Sequence, residues 1–127
     1  MIRVLIMIAL LAMPMQVNAR VLVATKTVNM GRFKLTAYCK CHSCSEGYDD
    51  TTATQCKAKA GRTIAVDPSV IPYGTRVLIG ETVYVAEDCG GGVEGDHIDI
   101  YMDSHAETEE FGVKYANVYI VKGDVEW

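Results

Sequence analysis

Along most of the chain, hydrophobic and polar positions alternate in short runs, the two-residue period of strands that bury one face. The runs fall at residues 32–38, 63–66, 76–79, 82–86, 97–101 and 117–121, each bounded by glycine, proline or acidic residues that interrupt strand pairing. They predict six short strands. Gly80-Glu81 is a two-residue link between the third and fourth, the length of a tight hairpin. The period breaks at Ser104-His105-Ala106-Glu107, a capping-box start that predicts one short helix ending near Gly112. Asp67-Pro68 opens a further helical turn, with Pro68 at a first-turn position where a missing N–H is tolerated. No repeat, low-complexity block or linker interrupts this order, so the pattern describes a small, mainly β domain with one or two short helices.

The phase of the fifth run assigns its faces. Ile98 and Ile100 point to the core, while His97, Asp99 and Tyr101 point the other way. Asp88 closes the fourth run, and Gly90, Gly91 and Gly92 follow it, leaving backbone N–H groups open to a ligand. One aspartate at a strand end more often caps a turn than does chemistry. Here four stand at strand edges, Asp67, Asp88, Asp99 and Asp103, which favours a site. A carboxylate above an accessible loop is suited to general acid catalysis. Thr36 and Tyr38, on the polar face of the first strand, and Tyr101 beside Asp99 are candidate substrate contacts with Gly90 and Gly91, although strand tyrosines are more often half-buried packing.

The runs A-G-R-T-I-A-V-D-P-S-V-I-P-Y-G-T-R-V and Y-V-A-E-D-C-G-G-G-V-E-G-D-H-I-D-I-Y-M-D-S-H resemble the bacterial 3D domain. That family is named for three aspartates and is similar to the catalytic barrel of membrane-bound lytic transglycosylase A. The resemblance covers about residues 33–121 and implies a six-stranded double-psi β-barrel. It implies a catalytic acid at Asp99, with Asp67 and Asp88 as the other two named aspartates tuning and orienting it. The implied substrate is the glycan strand of peptidoglycan, cut between N-acetylmuramic acid and N-acetylglucosamine to leave a 1,6-anhydro end, with no cofactor needed for the reaction. Cys89 stands where the family commonly has threonine, a departure that bears on the turn, brings Cys89 towards the other cysteines, and leaves the Asp88 carboxylate untouched.

Composition narrows the partners. A chain of 127 residues, 50% hydrophobic, is long enough for one core and too short for two domains. Residues 1–19 read as a secretory signal: Arg3 supplies the positive end, an apolar run too short to span a bilayer follows, and Val17-Asn18-Ala19 presents small residues for cleavage. An uncleaved anchor is the alternative, and either places the domain outside the cytoplasm. Residues 20–32 then form a lead-in, 33–121 the domain, and 122–127 a tail. Loss of the signal takes the formal charge from −4 to −5, because that segment holds one arginine and no acid. An acidic domain without a basic patch is a poor fit to nucleic acid. Lys57, Lys59 and Arg62 form a small cluster, read as a solvated loop with a substrate carboxylate as the sharper alternative. No protein partner is implied.

Five cysteines complete the inventory: Cys39, Cys41, Cys44, Cys56 and Cys89. In an oxidising compartment two disulfides and one free thiol account for the count, and this is the favoured reading. The alternative is a structural zinc on Cys39, Cys41 and Cys44 with Cys56 or His42 as the fourth ligand. Either would tie the loop to the barrel. A redox C-x-x-C is disfavoured, since Cys41 and Cys44 lie in a loop between strands and not at a helix start. Three function classes follow: a secreted lytic transglycosylase, a non-catalytic cell-wall glycan-binding module on the same barrel, and a small secreted metal or thiol protein.

Overall fold

The computed structural model describes residues 26–41, 43–44 and 49–123; the expected signal segment and His42 lie outside them. Six strands, β1 (Thr27–Tyr38), β2 (Thr63–Ala65), β3 (Arg76–Ile79), β4 (Thr82–Asp88), β5 (His97–Tyr101) and β6 (Lys114–Val121), are joined by one helix among the described residues, α1 (His105–Phe111). The strands close into a barrel in the order β1-β5-β2-β4-β3-β6. Closure removes the exposed strand edge that an open sheet would carry. Two neighbouring pairs are parallel, β1 with β5 and β2 with β4, and the others antiparallel. Those two parallel pairs need crossed connections, as the expected double-psi barrel does.

Alternation fills the interior. Phe33 and Leu35 of β1, Ile64 of β2, Val77 of β3, Ala86 of β4, Ile98 and Ile100 of β5 and Val118 of β6 meet Val66 and Ile71 in one buried cluster. The helix begins and ends where expected: the Ser104 hydroxyl accepts the Glu107 N–H at 3.2 Å, and Gly112 closes it at φ 64°. Asp67-Pro68 makes a single helical turn, the Asp67 carbonyl accepting the Val70 and Ile71 N–H groups at 2.9 Å each.

Three strands are longer than the alternation indicated, β4 by two residues at its end. β1 starts at Thr27, five residues before the expected position, because it continues through a bulge. The Asn29 side chain accepts the Gly31 N–H at 2.8 Å, the register with β6 shifts between them, and Gly31 sits at φ 91°. In sequence, an Asn-x-Gly step reads as a turn. β6 starts at Lys114, where an exposed Lys114-Tyr115 pair is held by the β1 backbone and buries no face.

A second bulge sets the site. Ile64 pairs with Ala86 but Ala65 pairs with Asp88, so Glu87 is the extra residue on β4. Glu87 turns inward and is buried, one oxygen accepting Arg62 Nε and Nη2 at 2.9 and 2.8 Å, the other the Thr63 hydroxyl at 2.9 Å. Lys57 meets Asp50 at 2.8 Å. Two members of the basic cluster are therefore matched to acids of the chain, which supports the solvated-loop reading over a substrate carboxylate.

Replacing Gly31 by alanine should destabilise the domain by about 1–2 kcal/mol, since a Cβ meets open space there and the cost is the left-handed backbone alone. Urea unfolding would show it as a lower midpoint at an unchanged slope; an unchanged midpoint would mean that the bulge relaxes freely.

Candidate active site

Pairing across the sheet aligns one row of residues. Asp88 on β4 is opposite Ala65 on β2, Ala65 is opposite Asp99 on β5, and Asp99 is opposite Thr36 on β1. Opposite residues share a face, so the two carboxylates flank the small Ala65 side chain. Over them lies a groove of about 660 Å³, within the range of ligand sites. Asp88, Asp99, Ala65, His97, Tyr38 and the Gly90-Gly91-Gly92 loop line one part of it, and the loop from Thr51 to Gln55 lines another. Gln55 is the one non-glycine residue at positive φ, 69°, among the described residues. Such strain tends to collect at ligand sites.

The two carboxylates differ in their surroundings. Asp88 accepts three hydrogen bonds: the Tyr38 hydroxyl at 2.8 Å, the Ala53 N–H at 3.0 Å and the Cys89 N–H at 2.9 Å. It ties the first strand to the opposite wall. Asp99 accepts the Thr36 hydroxyl at 2.9 Å. Burial raises its pKa above the ordinary carboxylate value and the Asp88 charge adds to that, while the Thr36 hydrogen bond and His97 oppose it. Asp99 thus tends to keep its proton. The Tyr38 phenol is likewise held protonated, by burial and then by Asp88.

Beyond Asp99 a chain of hydrogen bonds continues. Thr36 Oγ1 is 2.8 Å from His97 Nε2, and His97 Nδ1 is 3.1 Å from the Gly92 carbonyl. Thr36 is therefore a positioning group for Asp99 and not a residue of the groove surface. His97 had no assigned role from sequence, although it shares the face of Asp99 two residues away. The Thr51–Gln55 wall carried no strand or motif signal at all.

Several expected site residues sit elsewhere. Asp67 is not a groove residue and does not face Asp99. Its carboxylate accepts the Gly95 N–H at 2.9 Å, the Ser69 N–H at 3.0 Å and the Ser69 hydroxyl at 2.6 Å, which together hold its pKa below the usual range. Its work is to pin two turns together. Tyr101 is buried, 5% exposed, with its ring edge-on to Tyr38 at 5.4 Å, so packing replaces sugar contact. Asp103 is exposed beyond the strand end and outside the groove. Gly90 and Gly91 do line the groove, and a Cβ at Gly91 would meet nothing.

The cysteines also depart from expectation. Cys39 and Cys41 sulfurs lie 3.0 Å apart, about 1 Å longer than a disulfide. With Cys44 they converge on His105. Cys56 is not with them; its sulfur sits 3.1 and 3.3 Å from the Thr52 and Thr54 hydroxyls. Cys89 is an exposed thiol on the groove loop, hydrogen-bonded with Tyr73 and not a member of the cluster. Five cysteines spread along a sequence cannot announce which of them meet, and His105 was hidden as a helix-start residue.

A family model for the 3D domain matches residues 62–122. The cell wall-binding protein YocH of Bacillus subtilis (strain 168) is 38% identical over 61 residues, 47% of this chain and 21% of that protein. The putative cell wall shaping protein YabE of the same organism is 32% identical over 88 residues, 68% of this chain and 21% of that protein. The chain thus spans about a fifth of the length of these two relatives. Among solved structures, MltA from E. coli is similar at 26% identity and a TM-score of 0.48, covering 58% of this chain and 28% of that one. MltA with bound chitohexaose is similar at 24% and 0.48, covering 57% and 27%.

A raised carboxyl pKa has a consequence for stability. Folding favours the protonated Asp99, so its contribution is fully present below the unfolded value and is lost as pH rises through the higher folded value. Above the unfolded value, folding must either bury the charge or hold the proton against solution, a cost that Asp99→Asn removes. The variant should melt higher than the parent at pH 7, with the gap closing at acidic pH; a lower melting temperature at pH 7 would contradict the burial of a charge there.

Proposed function

We propose, from the match of residues 62–122 to the 3D domain and from the groove geometry, that the chain is a lytic transglycosylase that cleaves peptidoglycan glycan strands with Asp99 as its single acid and base. The observation that carries this reading is the contrast between the two groove carboxylates. Asp99 is half-buried, pushed towards its protonated form and bonded by one hydroxyl, whereas Asp88 is engaged by three donors. Ordinary glycoside hydrolysis needs a second carboxylate free to act as nucleophile or water base. Asp88 is not free, and a transglycosylase has no need of one.

The reaction then runs through one residue. Asp99 gives its proton to the oxygen that links N-acetylmuramic acid to the next N-acetylglucosamine, and the bond from the muramic C1 to that oxygen breaks. The 6-hydroxyl of the same muramic residue attacks C1. Asp99, now a carboxylate, takes the hydroxyl proton and returns to its starting form, while the sugar is left as the 1,6-anhydro product. The groove glycines leave backbone exposed to the sugar strand, and Tyr38 offers a polar edge beside it.

The hydrogen-bond chain accounts for where the first proton is kept. The Gly92 carbonyl only accepts, so His97 Nδ1 carries a proton. Nε2 is then the acceptor for the Thr36 hydroxyl at 2.8 Å, and a protonated Asp99 can donate to the Thr36 oxygen at 2.9 Å, so the acid form of Asp99 has a partner.

A non-catalytic glycan-binding module is the second reading, favoured by the relative named a cell wall-binding protein. Both readings put the domain in the cell envelope or outside the cell, the destination expected of the signal-like residues 1–19. They part on one variant. Incubation of the full chain with purified peptidoglycan should release 1,6-anhydro-muropeptides, and Asp99→Asn should lose at least about 10²-fold in rate. Sedimentation with the wall material should persist. Glycan binding with no anhydro product from the parent chain would establish the binding module instead.

His97→Asn tests this hydrogen-bond chain separately. Because His97 lowers the Asp99 pKa, the variant should move the alkaline fall of kcat/KM to higher pH while retaining part of the rate. A fall that is unmoved or moved to lower pH would mean that His97 does not act on the Asp99 proton in this way. Asp88→Asn should retain part of the rate, because its role is to hold the groove wall; a loss as deep as that of Asp99→Asn in folded protein would require two catalytic carboxylates.

A further inference from the structure

The groups left over by this mechanism gather at one end of the barrel. Cys39 follows the last residue of β1, Cys41 and Cys44 stand on the loop beyond it, and His105 opens α1 just after β5. β1 and β5 are parallel neighbours, so both leave the barrel at the same end. One further ladder bond, from the Met102 N–H to the Tyr38 carbonyl at 2.8 Å, keeps the two exits side by side. A tight turn, with the Cys44 N–H bonded to the Cys41 carbonyl at 3.1 Å, folds the loop back so that all three sulfurs face one imidazole nitrogen.

The distances bracket those of a coordination shell, from 3.0 Å between the Cys39 and Cys41 sulfurs upwards. His105 Nδ1 is 3.2 Å from Cys44 Sγ, 3.4 Å from Cys41 Sγ and 4.0 Å from Cys39 Sγ, and all four atoms lie within 4.8 Å of one another. Around a tetrahedral zinc with bonds of about 2.3 Å to sulfur and 2.0–2.1 Å to nitrogen, ligand atoms sit about 3.5–3.8 Å apart. A disulfide between two of these thiols would leave the third and the imidazole without purpose.

The imidazole is also prepared from behind. His105 Nε2 is 3.1 Å from Glu109 Oε1, one helical turn along α1. Donation of Nε2–H to that carboxylate leaves the Nδ1 lone pair facing the sulfurs, the carboxylate–histidine arrangement common behind bound metal. This second contact is independent of the cysteines.

We propose that Cys39, Cys41, Cys44 and His105 bind one zinc ion, with Glu109 orienting the histidine. Four protein ligands fill a tetrahedral shell and leave no position for substrate, so the site is structural. Its place in the fold says what it holds. The ion fastens the exits of β1 and β5, the two strands that bring Thr36 opposite Asp99. Cys44 also lines the groove, so the clamped loop is part of the groove wall. The site does not depend on the glycan reading.

Metal analysis of the full chain, purified without chelator, tests it. One zinc per chain is expected, and exchange with cobalt(II) should give the visible spectrum of a tetrahedral thiolate site. Cys44→Ser and His105→Ala should each lose or weaken the metal, and Glu109→Gln should keep one-to-one binding with affinity about 10–100-fold lower. Cys56→Ser should leave metal content unchanged. If a substitution prevents folding, the cobalt spectrum of the parent chain and the Cys56→Ser variant still decide. A parent chain that holds no zinc and takes up no cobalt would overturn the proposal. So would a two-proton mass loss with a bridge between any two of the three cysteines, or a cobalt spectrum and affinity unmoved by His105→Ala.

Discussion

The parallel register between β1 and β5 is the constraint on which the rest of the structure depends. It sets Thr36 against Asp99, and through the antiparallel register of β2 it adds Ala65 and then Asp88 to the same row. A slip of one residue would turn Asp99 into the core and Ile98 or Ile100 into the groove. The buried isoleucines therefore enforce the position of the carboxylate. Hydrophobic packing and site geometry are one requirement here.

The site adds polar groups to this frame in a graded way. Asp88 is satisfied by three donors and serves as a fixed anchor between Tyr38 and the Ala53 backbone. Asp99 is half-buried with less support and shares a hydrogen-bond chain with Thr36 and His97. The difference between two aspartates on one groove is thus a difference in wiring. Glu87, one residue from Asp88, is kept out of it by the bulge that turns it inward to Arg62 and Thr63.

Much of this was legible in the residues. The period-two run through His97-Ile98-Asp99-Ile100 states which side chains are buried, because one face of a closed barrel is always core. Ser104 and Glu107 state a helix start by their spacing. Bulges were not legible, since Asn29-x-Gly31 and Glu87-Asp88 look like strand ends until a partner strand continues past them. Asp67 shows the limit of the aspartate pattern: its position in A-V-D-P fits a site and a turn equally, and only the contacts to Ser69 and Gly95 decide for the turn. His105 could not be joined to Cys39, Cys41 and Cys44 from spacing, because about sixty residues separate them and the parallel strand pair alone brings them together.

The account turns on Asp99 keeping its proton to higher pH than an ordinary carboxyl. Carbon-13 NMR of the intact chain, with labelled aspartate carboxyls and the Asp99 signal identified by its absence in Asp99→Asn, measures this directly as pH is varied. The account predicts that the Asp99 carboxyl titrates above the ordinary carboxylate range of about 3.9 and that its midpoint moves when His97 is replaced by asparagine. An Asp99 signal that titrates at or below the ordinary value, with or without His97, would contradict it.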